Sequence, residues 1–264
     1  MTPEESFLLV SEGNISGQNL GFVDSKATDL EISVGAQTFE LTQSPSLLLS
    51  DLEGGTTGAV LWRATLYLAR WISSEKSGFW QLGLLKEDAQ IVELGCGISG
   101  LLALSLSKVL QSGTYLLTDQ KYVIKRLEAN LDNNKAERTS KGLLKSGLTI
   151  KTMPLDWETD EASNVLNALD KNSHGVDLVV ACDCVYNDHL IAPFVNTCID
   201  LCLLGSQEKV NRTMILIAQQ LRSADVLEAW LEIMMKAFTL FRIPESMLSS
   251  DLQYGFVIHL AVLK

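Results

Sequence analysis

The sequence predicts an α/β protein built on a doubly wound, mainly parallel sheet of seven strands. Strand-like and helix-like segments alternate from about residue 89 onward, which is the order expected when helices cover both faces of a parallel sheet. The runs at 176–181, apart from Asp177, and at 214–218 are apolar, as buried parallel strands are. The length of 264 residues fits one α/β unit.

The N-terminal part has a different pattern from the rest of the chain. Two runs that alternate apolar and polar residues, 30–34 and 38–42, flank Gly35 and Ala36. This arrangement predicts a β-hairpin. We therefore expect residues 1–60 to form an N-terminal extension that carries the hairpin, and residues 61–264 to form the main domain.

Elements of the main domain are predicted from periodicity and from apolar runs. The predicted parallel strands lie at 91–94, 114–118, 148–153, 176–181 and 214–218. The predicted helices lie at 99–110, 121–134, 165–169, 189–204 and 223–237. We expect the polar, basic segment 136–147 to be a surface loop. Two last strand-like runs, 239–243 and 255–263, predict an antiparallel hairpin that completes the seven strands at one edge.

Charge and composition exclude several classes of protein. The net charge is −11 and the pI is about 4.8, so we expect no direct nucleic-acid binding, which needs a basic surface. A basic protein partner is compatible with this charge. No apolar run has the ~18 residues of a membrane span, and the first residues lack the features of a signal peptide. We expect no membrane association.

Cysteines indicate the compartment and the absence of a metal centre. The chain has five, an odd number, and they lie in apolar runs. This favours free, buried thiols in a reducing compartment, so the cytoplasm is expected, with the nucleus as a second location. Cys182 and Cys184 lack the spacing of a zinc site, and we expect no metal.

A glycine-rich turn between a predicted strand and a predicted helix is the first candidate site. Gly95, Gly97 and Gly100 allow a tight turn and close approach of the backbone to a ligand. Asp119 follows the next strand, where a carboxylate can accept hydrogen bonds from both ribose hydroxyls. This pattern alone serves NAD and S-adenosylmethionine equally, so the nucleotide stays open at this point.

Further motifs favour S-adenosylmethionine. They are Glu93 before the glycines, the Asp156-Trp157 pair after the third parallel strand, and a segment from Asp183 to Tyr186 after the fourth. Together with the sequence Gly-Ala-Val-Leu-Trp at 58–62, and in this order, they resemble methyltransferase family 16. Its members are seven-strand, S-adenosylmethionine-dependent protein-lysine methyltransferases outside the SET class. The resemblance covers roughly residues 29–264.

The resemblance implies a role for each matching residue. Trp62 would close over the cofactor S-adenosyl-L-methionine, and Asp119 would bind its ribose. Its other expected contacts are Glu93, Gly95, Cys96, Gly97, Asp156, Trp157 and Cys182, with the aspartate and tryptophan of 156–157 flanking the adenine. Asp183 and Tyr186 would lie beside the target lysine as the catalytic residues.

The family resemblance also implies the substrate. We expect a protein substrate, with a ribosomal protein as the specific candidate because the nearest members of the family are the fungal ribosomal enzymes. Two alternatives remain, namely a methyltransferase for histidine or a small molecule, and a non-catalytic interaction module on a relict fold. Arg222 has two possible roles, to orient the 183–186 loop or to pair with a surface carboxylate.

Overall fold

The computed structural model describes residues 21–49, 56–83, 85–86, 88–140, 147–169, 175–204 and 212–264, with the backbone alone for 135–140. The strands are β1 (Asp29–Val34), β2 (Gln37–Thr42), β3 (Gln90–Leu94), β4 (Thr114–Asp119), β5 (Thr149–Pro154), β6 (Leu178–Cys182), β7 (Met214–Gln220), β8 (Phe238–Arg242) and β9 (Phe256–Leu263). The helices are α1 (Pro45–Leu48), α2 (Arg63–Ser73), α3 (Gly78–Gln81), α4 (Leu101–Leu106), α5 (Lys121–Ser140), α6 (Asn164–Ala168), α7 (Asp188–Leu203), α8 (Ala224–Ala237) and α9 (Ser250–Gln253). Thr57–Ala59 and Glu245–Met247 are 3-10 turns.

The seven-stranded sheet confirms the predicted fold class. Its strand order is β5-β4-β3-β6-β7-β9-β8. Strands β3 to β7 are parallel, whereas β9 runs antiparallel to both β7 and β8. The predicted N-terminal hairpin is present as the pair β1–β2.

The register of the sheet brings the candidate motifs to one edge. Leu94 pairs with Thr118 of β4 and with Ala181 of β6. The turn that begins at Gly95, the carboxylate of Asp119 and the loop after Cys182 therefore leave the sheet side by side. The carboxyl ends of parallel strands are where ligands bind in open α/β sheets.

Two apolar layers cover the two faces of the sheet. Side chains alternate across β3, so that Ile91 belongs to one layer and Val92 to the other. Helices α2, α4 and α5 supply the first layer, and α7 and α8 supply the second. The helices of the second layer begin where side-chain oxygens of Asn187 and Ser223 accept from backbone N–H groups of their first turns.

The hairpin is joined to the main domain by two buried asparagines of α5. Asn130 both accepts from the Thr42 N–H (2.8 Å) and donates to the Thr42 carbonyl (2.9 Å). Asn134 bonds in the same two-way manner to Glu40. Each side-chain amide thus takes the place of a strand's peptide group along β2. The Asn130 amide also donates to the Ile98 carbonyl at 2.8 Å, which connects the hairpin to the glycine-rich turn.

Two predicted helices have clearly different bounds in the structure, and one long observed helix was not predicted. Helix α4 begins at Leu101, not at 99, because Gly100 adopts a left-handed conformation with φ 58°. Helix α5 continues to Ser140, so the expected loop at 136–147 is partly helical; Ala136, Glu137 and Arg138 are good helix formers. Residues 141–146 of that loop, and 1–20 of the expected extension, lie outside the described residues. Helix α2 was not predicted.

Among the described residues, no helix is long and apolar enough to cross a membrane. The same part of the chain contains no group of three or more side chains placed to hold a metal ion.

Candidate active site

A cavity of about 810 Å³, including the open space at its mouth, lies at the carboxyl edge of the parallel strands. All of the predicted site residues except Glu93 line it. They come from the Trp62 segment, the turn after β3, the end of β4, the segment after β5 and the loop after β6. The structure therefore brings together residues that are far apart in sequence.

The glycine-rich turn forms the floor of the cavity and has no room for side chains. Gly95 and Gly97 have φ of 65° and 63°, a region that residues with a Cβ avoid. A Cβ on Gly95 would lie 2.9 Å from Cys184 Cβ and 3.3 Å from the Trp157 ring. The Ile98 N–H donates to the Gly58 carbonyl at 3.0 Å. The segment at 57–59 consequently covers the turn from above.

Asp119 presents a buried carboxylate to the cavity. One oxygen accepts from the Gly97 N–H at 2.8 Å, and the other accepts from the Gln120 N–H at 2.7 Å. Burial raises the pKa of Asp119 to about 6 in spite of these two hydrogen bonds. The group is therefore ionised at neutral pH and has lone pairs left for a ligand with hydroxyl donors.

Glu93 lies beneath the cavity and does not line it. Its side chain is buried, and it accepts a hydrogen bond from the Tyr115 hydroxyl at 2.8 Å. Burial raises the pKa of Glu93 to about 8, against the opposing effect of the Tyr115 hydrogen bond. At neutral pH this carboxyl is mainly protonated. Its predicted contact with the cofactor stays a prediction, since the structure places it under the turn.

The Asp156-Trp157 pair forms one side of the cavity. Asp156 Oδ1 accepts from the Glu158 N–H at 3.0 Å, which fixes the turn after β5. The Trp157 ring packs edge-on against Phe194 of α7, with centroids 5.3 Å apart. Because α7 holds this ring beside Gly95, the cavity has a flat aromatic wall next to the glycine-rich turn.

Asp183 is held by two hydrogen bonds from one arginine. Arg222 Nη2 donates to Asp183 Oδ1 at 2.7 Å and Nη1 donates to Oδ2 at 2.8 Å. The Gln220 N–H also donates to Oδ1, at 3.2 Å. The Asp183 side chain is 2% exposed, and its backbone is left-handed, with φ 54°. Of the two roles open for Arg222, the structure thus shows the one that orients this loop.

The same guanidinium also contacts the cover of the cavity. Arg222 Cζ lies 4.9 Å from the centroid of the Trp62 ring, a cation–π contact. The other neighbour of this ring is Phe22, at 4.4 Å between centroids. The Trp62 indole N–H donates to the Thr57 carbonyl at 2.9 Å. Trp62 is therefore fixed both to the N-terminal segment and to the 183–186 loop.

Tyr186 lies at the mouth of the cavity. Its hydroxyl accepts a hydrogen bond from Thr57 Oγ1 at 3.0 Å, and the residue is 37% exposed.

The cysteine thiols of the cavity are not reactive nucleophiles, because burial raises the pKa of Cys96 and Cys182 well above the usual value. The chemistry at this mouth is therefore that of a hydroxyl and an aromatic ring.

Comparison with known proteins identifies the family. The family described as "Lysine methyltransferase" matches residues 41–236, which is most of the chain. This chain belongs to the lysine methyltransferase family. The match includes every predicted site residue, from Trp62 to Tyr186.

Two of the individual relatives carry names that agree with this assignment, and a third carries a different one. Ribosomal lysine N-methyltransferase 5 of Zygosaccharomyces rouxii is 30% identical to this lysine methyltransferase over 76% of the chain and 72% of the relative. The protein with the same name in Lachancea thermotolerans is 28% identical over 90% of the chain and 88% of the relative. A Schizosaccharomyces pombe protein named diaminohydroxyphosphoribosylamino-pyrimidine deaminase is 29% identical, and the chain spans 50% of its length.

Several residues of the cavity in this lysine methyltransferase were not predicted as site residues. Thr57, Gly58 and Tyr122 line it. Gly58 had a signal, because it begins the Gly-Ala-Val-Leu-Trp segment that carries the family resemblance. Tyr122 had none, since it occupies the first turn of an ordinary amphipathic helix. Burial beside Asp119 raises the pKa of this tyrosine, so that its hydroxyl keeps its proton.

Proposed function

We propose that this lysine methyltransferase takes its methyl group from S-adenosyl-L-methionine and transfers it to a lysine of a ribosomal protein in the cytoplasm. One observation carries the cofactor assignment: the left-handed glycine turn, the Asp119 carboxylate and the Trp157 ring converge on a single cavity. The ribosomal substrate is supported by the names of the relatives.

The residues of the cavity fit the cofactor part by part. Gly95 and Gly97 would let the backbone approach the cofactor closely, and a Cβ on either would also crowd Cys184 or the Gly58 carbonyl. Asp119 would accept hydrogen bonds from the ribose hydroxyls. Trp157 offers an aromatic face to the adenine, with Asp156 beside it. When bound, S-adenosyl-L-methionine would supply a methyl group on a positively charged sulfur, for an uncharged amine to take as the carbon–sulfur bond breaks and the sulfur leaves as a neutral thioether.

The acceptor end of the cavity has to receive a lysine without its extra proton. The ordinary pKa of lysine is about 10.4, so the site must favour the free amine. An unpaired carboxylate would stabilise the ammonium form. At this end the charge of Asp183 is compensated by Arg222 at 2.7 Å, and Tyr186 contributes an uncharged hydroxyl. Tyr186 can thus pack on the lysine stem and exchange a hydrogen bond with the amine.

Asp183 has two possible contributions that an experiment can separate. In the first, it orients the incoming lysine directly. In the second, it acts as a positioning residue that holds the 183–186 loop through Arg222. Both of its oxygens are already hydrogen-bonded to the guanidinium, which favours the second.

Binding and transfer test the proposal separately. Calorimetry is expected to show binding of S-adenosyl-L-methionine and of its demethylated product, with weak binding of NAD. Incubation with radiolabelled S-adenosyl-L-methionine and an extract from cells that lack this protein is expected to label a ribosomal protein on lysine. Tight binding of NAD with no heat from S-adenosyl-L-methionine would overturn the cofactor assignment. Label on histidine, or on a small molecule, would overturn the acceptor.

A further inference from the structure

A second groove adjoins the cofactor cavity at Tyr186. It has a volume of about 380 Å³, open space included, and lies between the loop after β6 and the turn from β7 into α8. Tyr186 lines both the groove and the cavity. Whatever occupies the groove therefore lies next to the acceptor end of the reaction site.

The wall of this groove is partly apolar and partly polar, with Gln219, Gln220, Arg222 and Ser223 forming the polar part. To the apolar part, Val185 and Leu221 contribute from the two loops, and Val226 and Leu227 contribute from the first turn of α8. Arg222 also lines the groove, but its charge is compensated by the buried Asp183. The apolar part of the groove is thus suited to an apolar side chain, and the groove carries no excess charge that would select an ionic one.

One buried polar atom in the groove lacks a partner. Gln219 lines the groove and is 4% exposed. Its side-chain oxygen is buried and accepts no hydrogen bond from any described residue. The neighbouring glutamine is different, since Gln220 Oε1 accepts from Arg222 at 3.3 Å. A buried acceptor without a donor is costly to a folded protein, and an N–H group from a ligand in the groove would remove that cost.

We propose that this groove binds the segment of the substrate protein beside the target lysine, with an apolar side chain against Val185, Leu221 and Val226 and a backbone N–H donated to Gln219 Oε1. The inference rests on the proposed function, because it places the lysine of that same segment past Tyr186. A peptide supplies both features at once: an amide donor at every residue except proline, and side chains a few ångströms apart. Gln219 is then a specificity-determining residue and not a catalytic one.

Two variants of the groove and one matched control test this proposal. Gln219→Leu removes the acceptor at similar volume, and Val226→Phe fills the groove. Ser105→Ala removes another buried oxygen that accepts nothing from the described residues, in α4 and outside both cavities. The acceptor is the protein that the wild-type enzyme labels in the extract, purified and mapped to its lysine. Unfolding in urea, calorimetry with S-adenosyl-L-methionine, and kcat/KM for methyl transfer are measured for each variant.

The expected pattern separates a substrate contact from a structural one. Gln219→Leu and Val226→Phe should lower kcat/KM for the acceptor at least about tenfold, chiefly through KM, with cofactor affinity unchanged. Gln219→Leu should also unfold at the same or a higher urea concentration, because an unsatisfied acceptor has been removed. Ser105→Ala should share the effect on unfolding and leave kcat/KM unchanged. Replacing the apolar neighbour of the target lysine by alanine should slow the wild type and have little further effect on Val226→Phe.

Each contrary result has its own meaning. If Gln219→Leu and Val226→Phe methylate the acceptor as well as the wild type does, Gln219 holds only water, and the groove inference is wrong while the proposed function stands. A mapped lysine with no apolar neighbour within two positions overturns the inference in the same way. If the wild type labels no protein lysine at all, the proposed function fails, and the groove inference fails with it.

Discussion

Replacing Arg222 by methionine is expected to destabilise the protein and to disorganise the mouth of the site. The substitution keeps an unbranched apolar stem but removes both hydrogen bonds to Asp183, at 2.7 and 2.8 Å. It also removes the cation–π contact with Trp62. Asp183 would keep the Gln220 N–H as a donor, which leaves a carboxylate that is 2% exposed without a compensating charge.

The magnitude follows from the burial of the two partners. Removing one partner of a buried ion pair costs about 3–5 kcal/mol. Arg222 is 22% exposed, so we expect the lower end, about 3 kcal/mol. Burial already raises the pKa of Asp183, and Arg222 opposes this shift. In Arg222→Met the pKa of Asp183 therefore rises further. The stability contributed by a carboxyl with a raised pKa is present at low pH and is lost as pH rises through that pKa. The loss of unfolding free energy in Arg222→Met should therefore be larger at pH 8 than at pH 5.

A double-mutant cycle with Asp183→Asn is the decisive assay. Asparagine tolerates the left-handed backbone at this position, so the substitution changes the charge without adding strain. If the pair acts as a unit, Arg222→Met combined with Asp183→Asn should be more stable than Arg222→Met alone, because the uncompensated charge is gone. Urea unfolding of the four proteins at pH 5 and pH 8 measures this.

Methyl transfer by the same proteins decides between the two roles of Asp183. Asp183→Asn is expected to bind S-adenosyl-L-methionine almost normally and to lose at least about tenfold in single-turnover transfer, or about 1.4 kcal/mol. If the loss arises through positioning, Arg222→Met should show a similar one. A variant Arg222→Met as stable and as active as the wild type would refute the argument from the buried pair. Transfer lost in Asp183→Asn alone would instead assign Asp183 to the lysine directly.

Three other predictions concern the floor of the cavity. Asp119→Ala should weaken S-adenosyl-L-methionine binding by about 2–4 kcal/mol in calorimetry. The affinity of the wild type should fall as pH drops below about 6, where Asp119 takes up a proton. A wild-type affinity independent of pH from 5 to 8 would contradict this assignment. Because the raised pKa of Glu93 favours folding at low pH, the wild type should lose stability from about pH 4.5 to about pH 8, by at most about 1.4 kcal/mol per pH unit. Glu93→Gln should not show this loss. Parallel curves of unfolding free energy against pH for the two proteins would disprove the prediction. Gly95→Ala should abolish cofactor binding and destabilise the fold, since its Cβ would lie 2.9 Å from Cys184 in a left-handed backbone; normal calorimetry for this variant would show that the turn does not approach the ligand.

Much of the architecture could be predicted because the central parallel strands have apolar cores, as in Leu178–Cys182 and in Met214–Ala218 of β7. A run such as 176–181 favours a buried strand over other elements. A glycine turn followed by a helix marks the carboxyl end of the strand before it and so indicates the direction of that strand. Helix α2 was missed although a signal was present: Ala64, Leu68, Ala69 and Ile72 recur at helical spacing and are buried. The end of α5 was missed because polar residues favour a loop and a solvated helix equally.

The candidate site was predicted less completely, for a different physical reason. A motif names residues that are close in sequence, whereas the charge state of a site depends on contacts between distant ones. Asp183 and Arg222 lie 39 positions apart, and Thr57 and Tyr186 lie 129 apart. The pairing of β6 with β7 brings the first pair into contact, whereas the second forms because the segment at 57–59 packs on the turn after β3. The sequence therefore indicated which residues surround the cavity but left open which of their charges are compensated.

The distribution of charge in the cavity explains how the site can methylate lysine without a strong base. Two carboxylates, Asp119 and Asp156, line it beside the turn after β3 and the aromatic wall, where the proposed cofactor offers hydroxyl and amino donors. At the opposite end the carboxylate of Asp183 is compensated by Arg222, and Tyr186 is a hydroxyl. A lysine that enters there gains no ion pair by keeping its proton, and burial favours the free amine. The pair between Asp183 and Arg222 thus serves the reaction by withholding a negative charge from the acceptor. Arg222→Met, which removes the compensating charge, should bind the substrate ammonium more tightly and methylate it more slowly. The pH at which its methyl transfer is fastest should be higher than in the wild type.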